Sequence, residues 1–142
     1  MSSSQISGIV RLQLRGMTTT QLGALATTQV AALTTTQVIN LSTTNLNELT
    51  ASQFGSLSAT QIGVLTSQQI NNLGQTALSS LSSIQVSGLT TTQVAALTST
   101  AIGSLTTSEI EAMNAIQAGA FSQTQLDGMT QDQVDAVNEA MS

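Results

Sequence analysis

Seven carboxylates and two guanidiniums are the only charged side chains in this sequence, so any acid–base, metal or electrostatic chemistry must run through them. Two close acid pairs stand out, Glu109 with Glu111 and Asp132 with Asp135. Paired carboxylates carry out general acid–base work when their surroundings drive their pKa values apart. Nothing in the neighbouring sequence supplies such surroundings or a pocket, and both pairs read as solvated faces. The chain contains no His, Cys or Lys, which removes triads, thiol nucleophiles, amine catalysis, disulfides and zinc sites. The spacing of Asp127, Asp132 and Asp135 does not match a calcium-binding loop, and the glycines form no phosphate-binding fingerprint. The expectation is a protein with no enzymatic activity, no cofactor and no metal.

The charges are distributed unevenly along the chain. Both cations, Arg11 and Arg15, lie near the start, within the apolar stretch Ile9, Val10, Leu12 and Leu14; six of the seven acids fall at or after Glu109. One reading is that charges near the two ends only keep them solvated. The sharper reading makes the ends complementary: Ile9, Val10, Arg11, Leu12, Leu14 and Arg15 on one side, Asp127, Asp132, Asp135 and Glu139 on the other, meeting in a head-to-tail contact that does not close and therefore builds filaments. A net charge of −5 and 1% aromatic residues argue against nucleic acid as a partner. No apolar run approaches the roughly 20 residues of a membrane span, so no membrane insertion is expected. Met1 to Ile6 lacks the basic and apolar regions of a Sec signal, so export is expected to use another route or to follow removal of a leader.

These residues sit on a strict eight-residue beat. From Met17 an apolar residue returns at Leu25, Leu33, Leu41 and onward to Met129 and Val137, and a second series, Leu22, Val30, Val38 and onward to Val134, follows five residues behind. A fixed short period over the whole chain means a solenoid. Residues 1–16 form a divergent apolar and basic start, 17–108 the regular repeats, and 109–142 the acidic end repeats of one tandem array.

In the octad Leu33-Thr34-Thr35-Thr36-Gln37-Val38-Ile39-Asn40, a hydroxyl at position two precedes Gln at position five. That is a capping box, and the apolar residues at positions one and six form its hydrophobic staple. Each octad therefore predicts a fresh helix of about two turns. A single long helix is excluded, because an eight-residue period precesses about 80° per repeat around it. The fold class expected is all-α, a solenoid of very short capped helices, one per octad. The alternative is a β-solenoid, since Thr, Val and Ile favour strands. Small residues at positions seven and eight, such as Gly23-Ala24, Gly55-Ser56, Ala95-Ala96 and Gly103-Ser104, are expected to permit close backbone approach between units. Two octads depart from the pattern: that of Leu73 has Gly74 and Ala77 at the cap and box positions, and that of Met113 has Asn114 at the cap with Ile116 and Ala118 at positions four and six.

The wording of the octads, Leu89-Thr90-Thr91-Thr92-Gln93-Val94-Ala95-Ala96-Leu97 above all, resembles the Thr/Gln/Val-rich octapeptide repeats of large bacterial secreted and cell-surface adhesin-like proteins. The resemblance implies an extracellular or cell-surface protein with a structural or adhesive role and supplies no functional residue. In so short a chain, a self-assembling subunit is expected rather than a spacer, with the protein itself as partner. The runner-up is a surface-binding module: Thr35, Thr36, Thr91 and Thr92, at positions three and four, would project in register toward ice or a polysaccharide. A passive adhesin stalk is the third reading.

Overall fold

The computed structural model describes residues 16–142, and over them the chain is a run of fifteen helices beginning every eighth residue. In order they are α1 (Thr19–Gly23), α2 (Thr27–Ala31), α3 (Thr35–Ile39), α4 (Thr43–Glu48), α5 (Ala51–Gly55), α6 (Ala59–Gly63), α7 (Ser67–Asn71), α8 (Gln75–Leu78), α9 (Ser83–Ser87), α10 (Thr91–Ala95), α11 (Ser99–Gly103), α12 (Thr107–Glu111), α13 (Ala115–Ala118), α14 (Gln123–Asp127) and α15 (Gln131–Met141). No strand occurs among the described residues, so the β-solenoid alternative falls. The fold is an all-α solenoid of short helices.

Apart from α2, α8 and α11, each described helix starts for the reason its octad predicts. At α10, Thr90 is extended (φ −85°, ψ 160°), its hydroxyl accepts the Gln93 N–H at 3.1 Å, and the Gln93 side-chain oxygen accepts the Thr90 N–H at 2.8 Å. The same reciprocal pair recurs with Thr, Ser or Asn as the cap. Asn114 caps α13 in full, so the Met113 octad departs from the pattern in wording only. At α2 the cap is Ala26, which has no hydroxyl; only the Gln29 half of the box forms.

Each helix ends without a left-handed residue, since no described residue has positive φ. Instead the Leu that opens the next octad donates its N–H three residues back, as Leu33 does to the Val30 carbonyl at 3.1 Å, a tightened last turn that leads directly into the next extended cap. The extended pair at positions one and two makes the corner that an eight-residue period requires.

Corners at every octad wind the chain into a coil. A helix packs on the helix three octads later, α1 on α4, α2 on α5, α6 on α9 and α10 on α13. Positions one and six point inward and form one continuous core from Leu22 to Val137. Each such side chain contributes about 1.5–3 kcal/mol on burial. This packing is needed, because a two-turn helix does not persist alone in water. The core is closed: the void bounded by Phe54, Ile62, Leu65 and Ile70 measures about 10 Å³, about the space one water occupies.

Two details differ from the expectations. Val137 does not open a new octad; the chain continues helical through it to Met141. Asn138, at the cap position, has Met141 rather than Gln three residues on, so no box competes with propagation of the helix. The result is one amphipathic helix on α12 and α13, with Ala136 and Val137 buried and Asp132, Asp135, Asn138 and Glu139 outward. The small residues also divide. A Cβ on Gly23, Gly55 or Gly103 would meet nothing within 4 Å, because position seven there faces solvent. Close approach is confined to Gly63 and Gly88, where α6 and α9 cross: a Cβ on Gly88 would overlap the Ala59 carbonyl, and one on Gly63 would come within 2.8 Å of the Gly88 oxygen. Thermal unfolding should separate the two classes. Gly103→Ala is expected to stabilise by about 0.5–1 kcal/mol through helix propensity and loss of unfolded-chain freedom, whereas Gly88→Ala should cost about 1–3 kcal/mol through forced backbone displacement.

Candidate functional site

The side chain that defines this molecule is the Gln at position five. Besides capping its own helix, it reaches across to an earlier coil. Gln93, 4% exposed, donates from Nε2 to the Ile62 carbonyl at 2.9 Å and to the Leu65 carbonyl at 2.7 Å. Those two oxygens lie 31 and 28 residues back, at the C-terminal end of α6 and the following corner. Gln53, Gln69, Gln85, Gln117, Gln125 and Gln133 repeat the arrangement in the same register. Gln61 reaches Leu33 at 2.6 Å and Ala31 at 3.2 Å. The amide orientation follows from the network, because the cap N–H requires an acceptor and the two carbonyls require a donor. One planar amide thus closes the N-terminus of its own helix and the C-terminus of a helix four octads earlier. With packing at three octads and hydrogen bonding at four, a coil takes between three and four octads.

The ladder is interrupted at Ala77 and Ala101, and each gap has a replacement. Asn47 accepts the Gly74 N–H at 2.8 Å and donates to the Asn72 carbonyl at 2.7 Å. Asn71 accepts the Thr98 N–H at 2.9 Å and donates to the Ala96 carbonyl at 2.8 Å. In both cases the cap N–H that lost its own Gln is met by an Asn from four octads earlier, at position seven. The missing side chain at Ala77 leaves a cleft of about 190 Å³ beside Asn47, Leu49, Phe54 and Gly74. The Leu73 octad has no cap side chain, and the box half of its start is supplied from another coil.

Among the acids, Glu109 was expected on a solvated face and is instead buried, 4% exposed, in a rung position. Burial raises its carboxyl pKa, against the lowering effects of the Thr106 N–H, the Thr106 hydroxyl and the Leu81 backbone. Glu111, two residues on, is exposed, so the two carboxyls face opposite ways and form no catalytic pair. Asp127 on α14 and Asp132, Asp135 and Glu139 on α15 are all exposed, at the end of the solenoid where α15 lies on α12 and α13. Gln123 and Gln131 donate to Asp127 and Asp135, each at 2.8 Å. Ile9, Val10, Arg11, Leu12, Leu14 and Arg15 lie outside the described residues. Among the described residues no cluster of three or more His, Cys, Asp or Glu could hold a metal, and no helix is long and apolar enough to cross a membrane.

A ladder of this kind has a direction: it leaves amides without carbonyls where it starts and carbonyls without amides where it stops. The Nε2 groups of Gln21 and Gln29 have no hydrogen-bond partner among the described residues, while Leu126 and Met129 at the opposite end are only half buried.

These features define a helical repeat protein whose octads are bonded coil to coil by side-chain amides. The family model of the ALTTAQ repeat matches residues 12–43. Within that stretch, Ala32-Leu33-Thr34-Thr35-Thr36-Gln37 differs from those six letters at one residue. No curated protein and no solved structure gave a match to the chain.

Two measurements test the ladder. Gln93→Ala should cost about 2–4 kcal/mol, since it leaves the Ile62 and Leu65 carbonyls and the Thr90 N–H without partners and opens a cavity, while Thr90→Ala should cost only about 1 kcal/mol. Asn47→Ala should cost about 1 kcal/mol in urea unfolding, and Ala77→Gln in the same chain should recover it by restoring the local box.

Proposed function

We propose that this chain is a non-enzymatic structural protein that stacks head to tail into an extracellular fibre or surface layer. The observation that carries the proposal is the directional ladder. Amides at Gln21 and Gln29 lack carbonyls among the described residues, and corners at Phe121 and Met129, of the type that receives an amide elsewhere, are given none there. End-to-end stacking of a second copy would bring groups of these two kinds toward each other. The hydrogen bonds would be those already used between coils, so the contact needs no new chemistry.

Charge supports the same polarity. Arg11 and Arg15 stand near the start, with Ile9, Val10, Leu12 and Leu14 beside them in sequence, and Asp127, Asp132, Asp135 and Glu139 are exposed at the far end. An acidic, hydrophilic α15 would suppress association with other acidic ends and favour a basic one. The absence of His, Cys and Lys from the sequence supports a role without catalysis. The resemblance to adhesin-like repeats supports placement outside the cell.

A second reading rests on the Thr ranks. Thr35, Thr36, Thr91 and Thr92 are all exposed at the first two positions of α3 and α10, which suits recognition of a repetitive surface such as ice or a polysaccharide.

Negative-stain electron microscopy and sedimentation over a range of concentrations distinguish the two. Thin filaments that lengthen with concentration are expected, with Arg11→Glu together with Arg15→Glu abolishing them at low salt. Unchanged polymerisation of that variant would remove the electrostatic contact. Discrete rods that show ice shaping or polysaccharide binding would move the function to the Thr-rich face.

A further inference from the structure

Among the described rungs, Glu109 alone carries a carboxyl. It stands three residues after its cap, Thr106, and its Oε2 accepts the Thr106 N–H at 2.7 Å, as a Gln oxygen does elsewhere. Its other oxygen, Oε1, is buried without a hydrogen-bond partner. At the complete rungs the corresponding atom is Nε2, which donates to carbonyls 28 and 31 residues back. For Glu109 that register falls on Leu81 and Leu78. An ionised carboxylate has no hydrogen to offer them, and Oε1 is left buried with its hydrogen-bonding capacity unused. The corner in question is also slack. Leu81 N to Leu78 O is 3.5 Å, the longest closing bond of its kind among the described residues, against 3.1 Å at Leu57 and 3.0 Å at Leu89.

The geometry points to Glu109 as a proton-operated rung: protonated, its O–H donates to the Leu81 or Leu78 carbonyl and ties the two coils as a Gln amide does; ionised, it leaves the rung open and the Ser79–Leu81 corner loose. The Leu81 N–H stands at this joint: it donates to the Leu78 carbonyl at 3.5 Å, and the Leu81 backbone also helps to hold charge on the Glu109 carboxyl. The device needs no other residue and acts on the solenoid whether or not copies stack.

The surroundings favour the neutral form. Desolvation dominates at Glu109 and raises its pKa above the ordinary 4.5. The cavity beside it, about 250 Å³, is lined by Ser79, Ser80, Ser83, Thr106 and Ser108, which bring hydroxyls and no cation. The Ser79–Ser83 segment carries no titratable side chain. Packed α15 brings Asp132, Asp135 and Glu139, all exposed and all acidic, and α12 itself adds only exposed Glu111. None of these groups brings a positive charge that would hold Glu109 ionised. The folded chain therefore binds the proton more tightly than the unfolded chain. The stabilisation is complete below the ordinary carboxyl value of 4.5 and is lost as pH rises through the raised folded value.

The test compares the full chain with Glu109→Gln by urea unfolding at about pH 4 and about pH 7.5. The variant should match the wild type at the lower pH and exceed its unfolding midpoint at the higher one, and the wild type alone should lose midpoint between them through this group. Parallel pH profiles would overturn the proposal. Hydrogen exchange reads the corner directly: protection of the Leu81 amide, corrected for intrinsic rate, should rise on acidification in the wild type and stay constant in the variant. Protection that ignores pH in the wild type would overturn it as well. Calcium chloride that restores the wild-type midpoint at the higher pH, with no effect on Glu109→Gln, would assign the cavity to a cation and end the proton reading.

Discussion

The structure depends on satisfying the peptide groups at the ends of helices that are almost all ends. A five-residue helix leaves four N–H and four C=O groups without intrahelical partners, more than it pairs internally. Repeated through fourteen such helices, those orphan groups would defeat any gain from packing unless each found a partner. The side-chain amide at position five meets both needs at once. Its oxygen takes an N–H at the start of its own helix, and its two hydrogens take carbonyls at the end of an earlier one. No other side chain combines an acceptor and two donors at that reach. Asn45 shows the limit: one methylene shorter, its oxygen accepts the Ser42 N–H at 3.2 Å, yet its amide reaches the Met17 carbonyl only at 3.5 Å. This explains a protein with 6% charged residues, because the lines that bind its coils together are neutral amides.

Closing helices across coils removes demands that other folds place on sequence. With corners made by an extended pair and an N–H bonded three residues back, no described residue needs a left-handed conformation. Among the described residues, glycine is then required only where backbones cross, at Gly63 and Gly88. The same device couples the units. The C-terminal end of each helix is fully satisfied only when the coil that follows is in place, which is the physical content of nearest-neighbour cooperativity in a repeat array.

The octad, its cap, its staple and the all-helical class were legible because they rest on contacts three to five residues apart. The reach of Gln93 to Ile62 was not, since it depends on how many octads complete a coil, a quantity set by corner angles and side-chain volumes together. A signal existed nonetheless. Glu serves a capping box and a helix dipole at least as well as Gln. Preference for Gln at Gln53, Gln61, Gln69, Gln85 and Gln93 means that the N–H groups matter. The burial of Glu109 follows from octad phase, which puts Glu109 inside and Glu111 outside, although the close spacing of the two acids alone suggests a solvated face. Gly63 and Gly103 share position seven and are indistinguishable locally, and only the crossing of α6 and α9 separates them. At the acidic end, Val137 keeps the phase of an octad, yet α15 runs through it, because phase alone does not start a helix without a box to compete with propagation.

A coil that is not a whole number of octads has a consequence for how such a chain lengthens. Each helix rests on one neighbour three octads away and is bonded to another four octads away, as bricks overlap in running bond, so no seam runs the length of the solenoid. Inserting or deleting a single octad would rotate everything downstream by a fraction of a turn and still leave Gln rungs facing corners 28 residues back. The unit of growth is therefore the octad and not the coil. Only the exceptions would notice. Asn47 with Ala77, and Asn71 with Ala101, are matched at a fixed distance, and an octad gained or lost between partners would part them. Those two pairs are register marks, recording that the stretch from Asn47 to Ala101 keeps a settled length while the plain octads around it remain interchangeable.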